Sequence, residues 1–475
     1  MATNWRNLPC LLLFTVLGIF LSILGVYSQF PATITPDAAM HAEIVESIGH
    51  QGFLTTWEPY AENSYTYPPL FHYIVFVLPL EPIDAVRALG IALWLVLPIA
   101  MYFLVSTYDN GSKPDKKAGL IAALLIGLVP VFSNVFIYSE FPQLMSMVLL
   151  IIEWYFLRTR KITHAGVVVG LIALTHVFFV LVASALYVYY LWLYRTLKVR
   201  YVAAPVIVAL PWAFAYWNVV LSVLAGTWEN TRYNVFQPVF GFWPWQTIKE
   251  WLFSAHGITL LLFALALYGW LKVRDRSDER ADYALRGMFV FCLVLTVFHV
   301  PFTQLKMLDL LALPTVMLAA LGLTAVSLKS SWRNLLVAAV LIFLAVGQVQ
   351  HFIHVRENWF NPEIAPTEEL IDAARWLKYY DNSFVRVYVH QASAWGGILS
   401  HKIPLYPDIT RLETFSPSYK EQLDAQEMIK DALTNDKEID EYLIQEYGVQ
   451  YFIVPVELQP KLELLYMNGV WGVYR

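Results

Sequence analysis

Long apolar runs, joined by loops whose lysines and arginines gather in every second loop, constrain this chain more than any other feature. A helix needs about 20 apolar residues to cross a bilayer, and its backbone groups must be paired within the element. Runs of this kind lie at 8–29, 85–106, 118–137, 142–157, 164–178, 179–194, 201–224, 251–271, 284–300, 308–328 and 333–352. The fifth and sixth are short and read as a hairpin that stops short of a full crossing. Composition agrees: 58% of the residues are hydrophobic and 15% charged, against roughly 45–50% and 25% in soluble domains. Disorder, a collagen-like chain and a disulfide-stapled secreted domain are excluded. The expected fold class is a polytopic α-helical membrane protein of about eleven spans.

Charge sets the expected topology. Basic groups occur at Lys113, Lys116 and Lys117; at Arg158, Arg160 and Lys161; at Arg195, Lys198 and Arg200; at Lys272, Arg274, Arg276 and Arg280; and at Lys329 and Arg333. The alternate loops of the body hold only Arg87, Arg232, Lys249 and Lys306. The positive-inside rule puts the rich loops, and the N-terminus, in the cytoplasm. The apolar stretch Leu70 to Leu78 is too short to cross and is fenced by Pro68, Pro69 and Pro79. A crossing there would turn every later basic cluster outward, so it reads as an interfacial helix in a first outer loop from about 30 to 84. The N-terminal run has no small-residue cleavage site before Pro31 and reads as an uncleaved first span.

Two domains are expected: a membrane body over 1–352, with net charge +3, and a polar domain over 353–475, with net charge −8. An odd number of spans places the second domain outside the cell membrane. It reads as α/β. Thr367 caps a helix opened by Glu368 and Glu369, 384–390 alternates like a strand, helices fill 418–447, and 451–454 and 470–474 read as short strands. No basic tract points to nucleic acid. Cys10 and Cys292 both sit in apolar runs and suggest neither a disulfide nor a metal site.

The chemistry-bearing residues lie on the outer side. In the first outer loop Thr35 is a candidate N-cap and Pro36 a first helical residue, which sets Asp37 and His41 on one face of a short helix. An acid there also simply suits the positive helix terminus. Tyr67, Pro68, Pro69 and His72 introduce the interfacial segment, where tyrosine and histidine anchor readily. The second outer loop is short, and Glu140 between two apolar spans has to be paired, solvated or functional. Sparse outer cations complete the set: Lys306, which otherwise snorkels or pairs with Asp309, and Arg232 beside Tyr233. His72 and His176 are weaker candidates. Asp37, His41 and Glu140 together offer oxygen and nitrogen ligands that suit Mn²⁺ or Mg²⁺.

An acid just beyond the first span, a long outer loop with a Pro-Pro interfacial helix, and a second acid in the short loop after the third span resemble the GT-C superfamily of membrane glycosyltransferases. That superfamily includes protein O-mannosyltransferases, lipid A aminoarabinose transferases and oligosaccharyltransferases. The resemblance covers about residues 1–330. It departs from the family at three places: no Trp-Trp-Asp signature occurs in the tail, Ala38 follows Asp37 where Asp-Glu is usual, and the second acid is glutamate. These departures leave the sugar and the acceptor open.

The resemblance implies an inverting transfer of a sugar from a polyprenyl-phosphate carrier to a glycan, lipid or protein acceptor at the outer face of the bilayer. Asp37 becomes the general base or a metal ligand, and Glu140 the second acid. His41, Tyr67, His72, His176, Arg232, Tyr233 and Lys306 line the substrates, with the cations at the leaving phosphate. The rival reading is a multi-pass transporter or lipid-carrier flippase. Against it, the sequence shows no inverted repeat, and its candidate charges gather on one face rather than at the midplane. A third reading, a non-catalytic scaffold, accounts for the tail but not for Asp37 and Glu140 together.

Overall fold

The computed structural model describes residues 37–51, 68–108, 115–137, 140–210, 241–242, 249, 258–272, 279–299, 306–358, 366–406 and 417–475. In chain order the helices of the first 358 residues are α1 (Asp37–Gln51), α2 (Leu70–Phe76), α3 (Pro82–Val105), α4 (Lys116–Leu128), α5 (Pro130–Ile137), α6 (Phe141–Arg158), α7 (Ile162–Ala173) and α8 (Val177–Leu193). They continue with α9 (Val199–Leu210), α10 (Leu260–Lys272), α11 (Glu279–Val297), α12 (Lys306–Ala325) and α13 (Ser330–Asn358). Strands β1 (Gly241–Phe242) and β2 (Phe298–His299) pair antiparallel. The chain divides into two compact units. One takes in the described residues from 89 to 357, the other those from 37 to 88 and from 358 to the end.

The first unit is helical. Four of the chain's described helices are long and apolar enough to cross a membrane: Pro82–Val105, Phe141–Arg158, Leu308–Ala325 and Ser330–His351. Where one straight span was expected over 118–137, α4 and α5 meet at a 58° bend. The cause is local. Val129 is extended (φ −86°, ψ 120°) because Pro130 bars the helical conformation to its predecessor and has no N–H to give. The expected hairpin over 164–194 forms as two short helices, α7 and α8, joined through Leu174, Thr175 and His176. The expected first span at 8–29, and 211–224 of the seventh, lie outside the described residues. Helices α10 and α12 cross backbone to backbone: a Cβ on Gly322 would meet the Gly269 Cα at 3.0 Å. In a bilayer, where lipid is as apolar as leucine, such small-residue crossings supply the packing that holds helices together.

The second unit carries α14 (Glu368–Tyr380), β3 (Arg386–Val389), α15 (Ser393–Ser400), β4 (Ile403–Pro404), α16 (Pro417–Thr434), α17 (Glu441–Tyr447), β5 (Val449–Pro455), β6 (Leu464–Met467) and β7 (Trp471–Tyr474). The sheet order is β4-β3-β5-β7-β6. Strand β3 runs parallel to β4 and β5, and β7 antiparallel to β5 and β6. As expected, Thr367 caps α14, its hydroxyl accepting from the Leu370 N–H at 3.2 Å. Tyr388, Phe452, Val454 and Tyr474 of the sheet pack with Ala425, Ile429 and Leu433 of α16.

Helices α1 and α2 belong to this same unit, and α1 packs on both α2 and α15. Gly397 makes the approach to α15 possible, since a Cβ there would stand 2.9 Å from the Glu43 Oε1 and 2.5 Å from the Pro404 ring. Ala38, Ala39 and Ala42 are fully buried, and His41, Glu43, Glu46 and Ser47 around the rest of the helix are buried as well. A helix buried on all sides is an interior element rather than an amphipathic surface helix.

Candidate functional site

Within the second unit, Asp37 opens α1 and is half-buried. One turn on, the His41 Nδ1 lies 3.1 Å from the Nε2 of His72 on α2. One of those nitrogens carries the proton and donates, and the other accepts. Phe71 packs against both rings, 5.6 Å from His41 and edge-on to His72 at 5.5 Å. Burial lowers the pKa of His72 to about 3, and the Pro68 carbonyl offsets this only in part. His72 is therefore a neutral imidazole at physiological pH.

One carboxylate of α1 is taken up by a C-terminal residue. Glu46 pairs with the His401 Nδ1. The neighbouring Lys402 ammonium donates to the carbonyls of Asp381 (2.5 Å) and Ser383 (2.6 Å). Burial lowers the Lys402 pKa, while Asp381 and Glu46 pull it back up. Arg87 stands over the Trp395 ring at 5.5 Å, and Lys378 meets Glu81 at 3.2 Å.

Within the first unit, Glu140 immediately precedes α6. Its N–H donates to the Val135 carbonyl and its carbonyl accepts from the Leu144 N–H, each at 3.0 Å. Its half-buried side chain makes no cap bond to the helix. Three residues on, the buried Gln143 Nε2 donates to the buried Asp309 Oδ2 at 2.5 Å. With the amide nitrogen donating to the carboxyl oxygen, the Gln143 Oε1 is turned the other way. Asp309 lies one turn into α12, which Lys306 opens. The bond thus brings the beginnings of α6 and α12, with Glu140 and Lys306, to one end of the unit. Sequence reasoning offered Asp309 as the partner of Lys306, a pairing that the described side chains do not test; Asp309 is bonded to Gln143. The Lys306 side chain lies outside the described part. His176, in the turn between α7 and α8, is buried, with its ring edge-on to Phe179 at 5.3 Å. Tyr67, Arg232 and Tyr233 lie outside the described residues.

Two pairings escaped the sequence reading. Gln143 and Asp309 are polar residues one turn inside apolar helices, and that placement is itself a signal. The pairing of Glu46 with His401 joins segments about 350 residues apart and leaves no local mark in the chain. Among the described residues no group of three or more His, Cys, Asp or Glu side chains is placed to hold a metal ion.

No protein-family model matches the sequence, and no curated protein matches it. Solved structures match it along nearly its whole length. ArnT from Cupriavidus metallidurans, bound to undecaprenyl phosphate, aligns with TM-score 0.60 and 13% identity over 100% of this chain and 98% of its own. The archaeal oligosaccharyltransferase AglB from Archaeoglobus fulgidus, in complex with an inhibitory peptide and a dolichol-phosphate, aligns with TM-score 0.51 and 13% identity over 96% of this chain and 70% of its own. The mycobacterial arabinofuranosyltransferase AftD aligns with TM-score 0.55 and 18% identity over 96% of this chain and 35% of its own. The chain has the fold of the GT-C membrane glycosyltransferases. At this level of identity the likeness is one of fold, and chemistry has to be argued from residues.

Proposed function

We propose that the chain is an inverting glycosyltransferase that takes a sugar from a polyprenyl-phosphate carrier at the outer face of the cell membrane. The observation that carries this reading is the full-length likeness to ArnT, whose structure holds undecaprenyl phosphate. The two candidate acids add to it, since each lies at the start of a helix where the family keeps acids. In this mechanism Asp37 takes the proton from the acceptor hydroxyl. The acceptor oxygen then bonds to the anomeric carbon from the side opposite the phosphate. The bond from that carbon to the phosphate oxygen breaks, and polyprenyl phosphate departs with the electron pair. Lys306, with Arg232, meets the charge growing on the leaving phosphate. Glu140 orients the acceptor, His41, Tyr67, His72, His176 and Tyr233 shape the substrate surfaces, and the carrier's tail enters near 225–250. Asp37, His41 and Glu140, the residues the sequence suggested for Mn²⁺ or Mg²⁺, form no metal-binding group among the described residues, and no step here runs through a metal. The acceptor is a glycan, lipid or protein.

The topology proposed with it has about eleven spans, a cytoplasmic N-terminus, a membrane body over 1–352, and residues 31–84 and 353–475 outside. Cysteines placed at Ser64 and Ser418 should react with a membrane-impermeant thiol reagent in intact cells, while one at Ser112 should not. Labelling at Ser112 overturns the map. The activity is tested on purified protein in detergent, given lipid-linked sugar and candidate acceptors with no ion gradient. Sugar transfer matched by release of polyprenyl phosphate is expected. Carrier movement in vesicles without any transfer would instead establish the transporter reading.

A further inference from the structure

A groove of about 840 Å³ runs along α7, α8 and α9, a size typical of small-ligand sites. Its walls are almost wholly apolar, with Val169, Ala173, Val180, Val188 and Val206 along its length. The one phenol, Tyr187, is already spent on the carbonyls of Ile162 (3.2 Å) and Tyr201 (3.0 Å). The end is different. There the groove is lined by Arg195 and Thr196, and Lys198 and Arg200 follow within one turn of chain. Trp192 at the same end is 70% exposed and stacks on Tyr189 at 5.9 Å, as aromatic residues do at a membrane–water boundary.

Arg195 is unusual in its backbone as well. It sits in the left-handed conformation (φ 48°) at the end of α8, where the Thr196 N–H returns to the Leu191 carbonyl and its own N–H to that of Trp192, both at 3.0 Å. Glycine normally fills such a helix end because a side chain there is strained. A large cation therefore stands where the fold alone would favour glycine, and among the described residues it forms no ion pair. Close by, the guanidiniums of Arg160 and Arg280 lie 4.8 and 5.5 Å from the single ring of Tyr194. Among the described residues, the nearby acids include Glu153, which acts electrostatically on Tyr187, and Glu279 and Asp282 in the first turn of α11.

An apolar trough ending in a cluster of cations fits an anionic amphiphile. We propose that this groove binds one molecule of an anionic glycerophospholipid, its acyl chain along α7, α8 and α9 and its phosphate at Arg195. The inference rests on the proposal that these helices lie in a bilayer, and not on the assignment of glycosyl transfer, so either can fail without the other.

The test uses the full-length protein in detergent and in nanodiscs, with phosphatidylglycerol and phosphatidylcholine as probes and native mass spectrometry and thermal unfolding as readouts. Phosphatidylglycerol should be retained in preference to phosphatidylcholine and should raise the unfolding midpoint more. Arg195→Gly suits the left-handed backbone, so its midpoint in phosphatidylcholine should equal or exceed wild type. Its preference for phosphatidylglycerol should fall about fivefold, the share of one basic residue at an anionic surface. Ala209→Phe, filling the trough from the partly exposed α9, should weaken both lipids, and inorganic phosphate should not compete. Equal retention of the two lipids, an unchanged preference in Arg195→Gly, competition by phosphate alone, or displacement by stoichiometric polyprenyl phosphate would each overturn the proposal.

Discussion

The two candidate acids look alike in the sequence and are built differently in the fold. Asp37 begins a helix whose every side is interior: His41 meets His72 on α2, and Glu46 meets His401 from the C-terminal part of the chain. Glu140 begins a helix whose first turn is tied to α12 through the bond from Gln143 to Asp309, while the rest of it packs on α7 and α8. A change at the first acid is therefore transmitted into a polar network that spans distant parts of the sequence. A change at the second stays at the beginnings of α6 and α12. Similar placement beside a membrane span gives no information about how firmly an acid is held.

The largest expected effect tests the first acid. Asp37→Asn keeps shape and hydrogen-bonding capacity but cannot take a proton, so turnover should fall about 10²–10⁴-fold while lipid-linked sugar still binds. A folded Asp37→Asn enzyme keeping more than about a tenth of wild-type turnover removes Asp37 from the mechanism.

Next in size is Lys306→Met, which deletes a charge-assisted hydrogen bond worth about 1.5–3 kcal/mol. Donor affinity, read by titration with lipid-linked sugar, should weaken about ten- to a hundredfold. Unchanged affinity would mean that the residue only snorkels.

The comparison itself is sharpened by His401→Ala. It strips the partner from a buried Glu46 and should lower stability by about 1–3 kcal/mol, the usual penalty for a stranded buried polar group. In Glu46→Gln the same change should cost less, because the carboxylate is already gone. Additive losses in this double-mutant cycle would show that the pair is not coupled.

Glu140→Gln is expected to have the smallest effect, a loss of under about tenfold, if the residue only orients the acceptor. Loss of activity in chelator with recovery in Mn²⁺, matched by a Glu140→Gln defect as deep as that of Asp37→Asn, would make it a metal ligand instead.

Much of the body was legible because burial in lipid writes itself as unbroken apolar sequence. The long helices α3, α6, α12 and α13 fall within a few residues of the expected runs. The bend at Val129 was missed because Pro130 stands inside a run whose apolar content is continuous, and hydropathy is blind to backbone geometry. In the C-terminal part, the Thr367 cap, β3, β5 and β7 follow local signals. Strand β4 has two residues, too few for alternation to register, and β6 (Leu464–Met467) is an unbroken apolar run without alternation. The site was legible only as individual residues. That α1 is buried all round depends on Gly397 and His401 as well as on α2, and no period within residues 37–51 encodes neighbours so far along the chain.

That long reach has a consequence for biosynthesis. Helix α1 leaves the ribosome about 350 residues before α15 and His401, an interval of roughly 20–70 s at 5–20 residues per second. Throughout it, Glu43 and Glu46 belong to a helix whose C-terminal neighbours do not yet exist, while the later helices are still being inserted. Closure of the second unit is a contact of very high sequence separation, the kind that forms late and slowly. The nascent chain therefore passes through a stage in which its membrane helices are in place but its proposed base is unsupported. Acquisition of activity should then trail membrane insertion by the time taken to make and dock the last hundred or so residues.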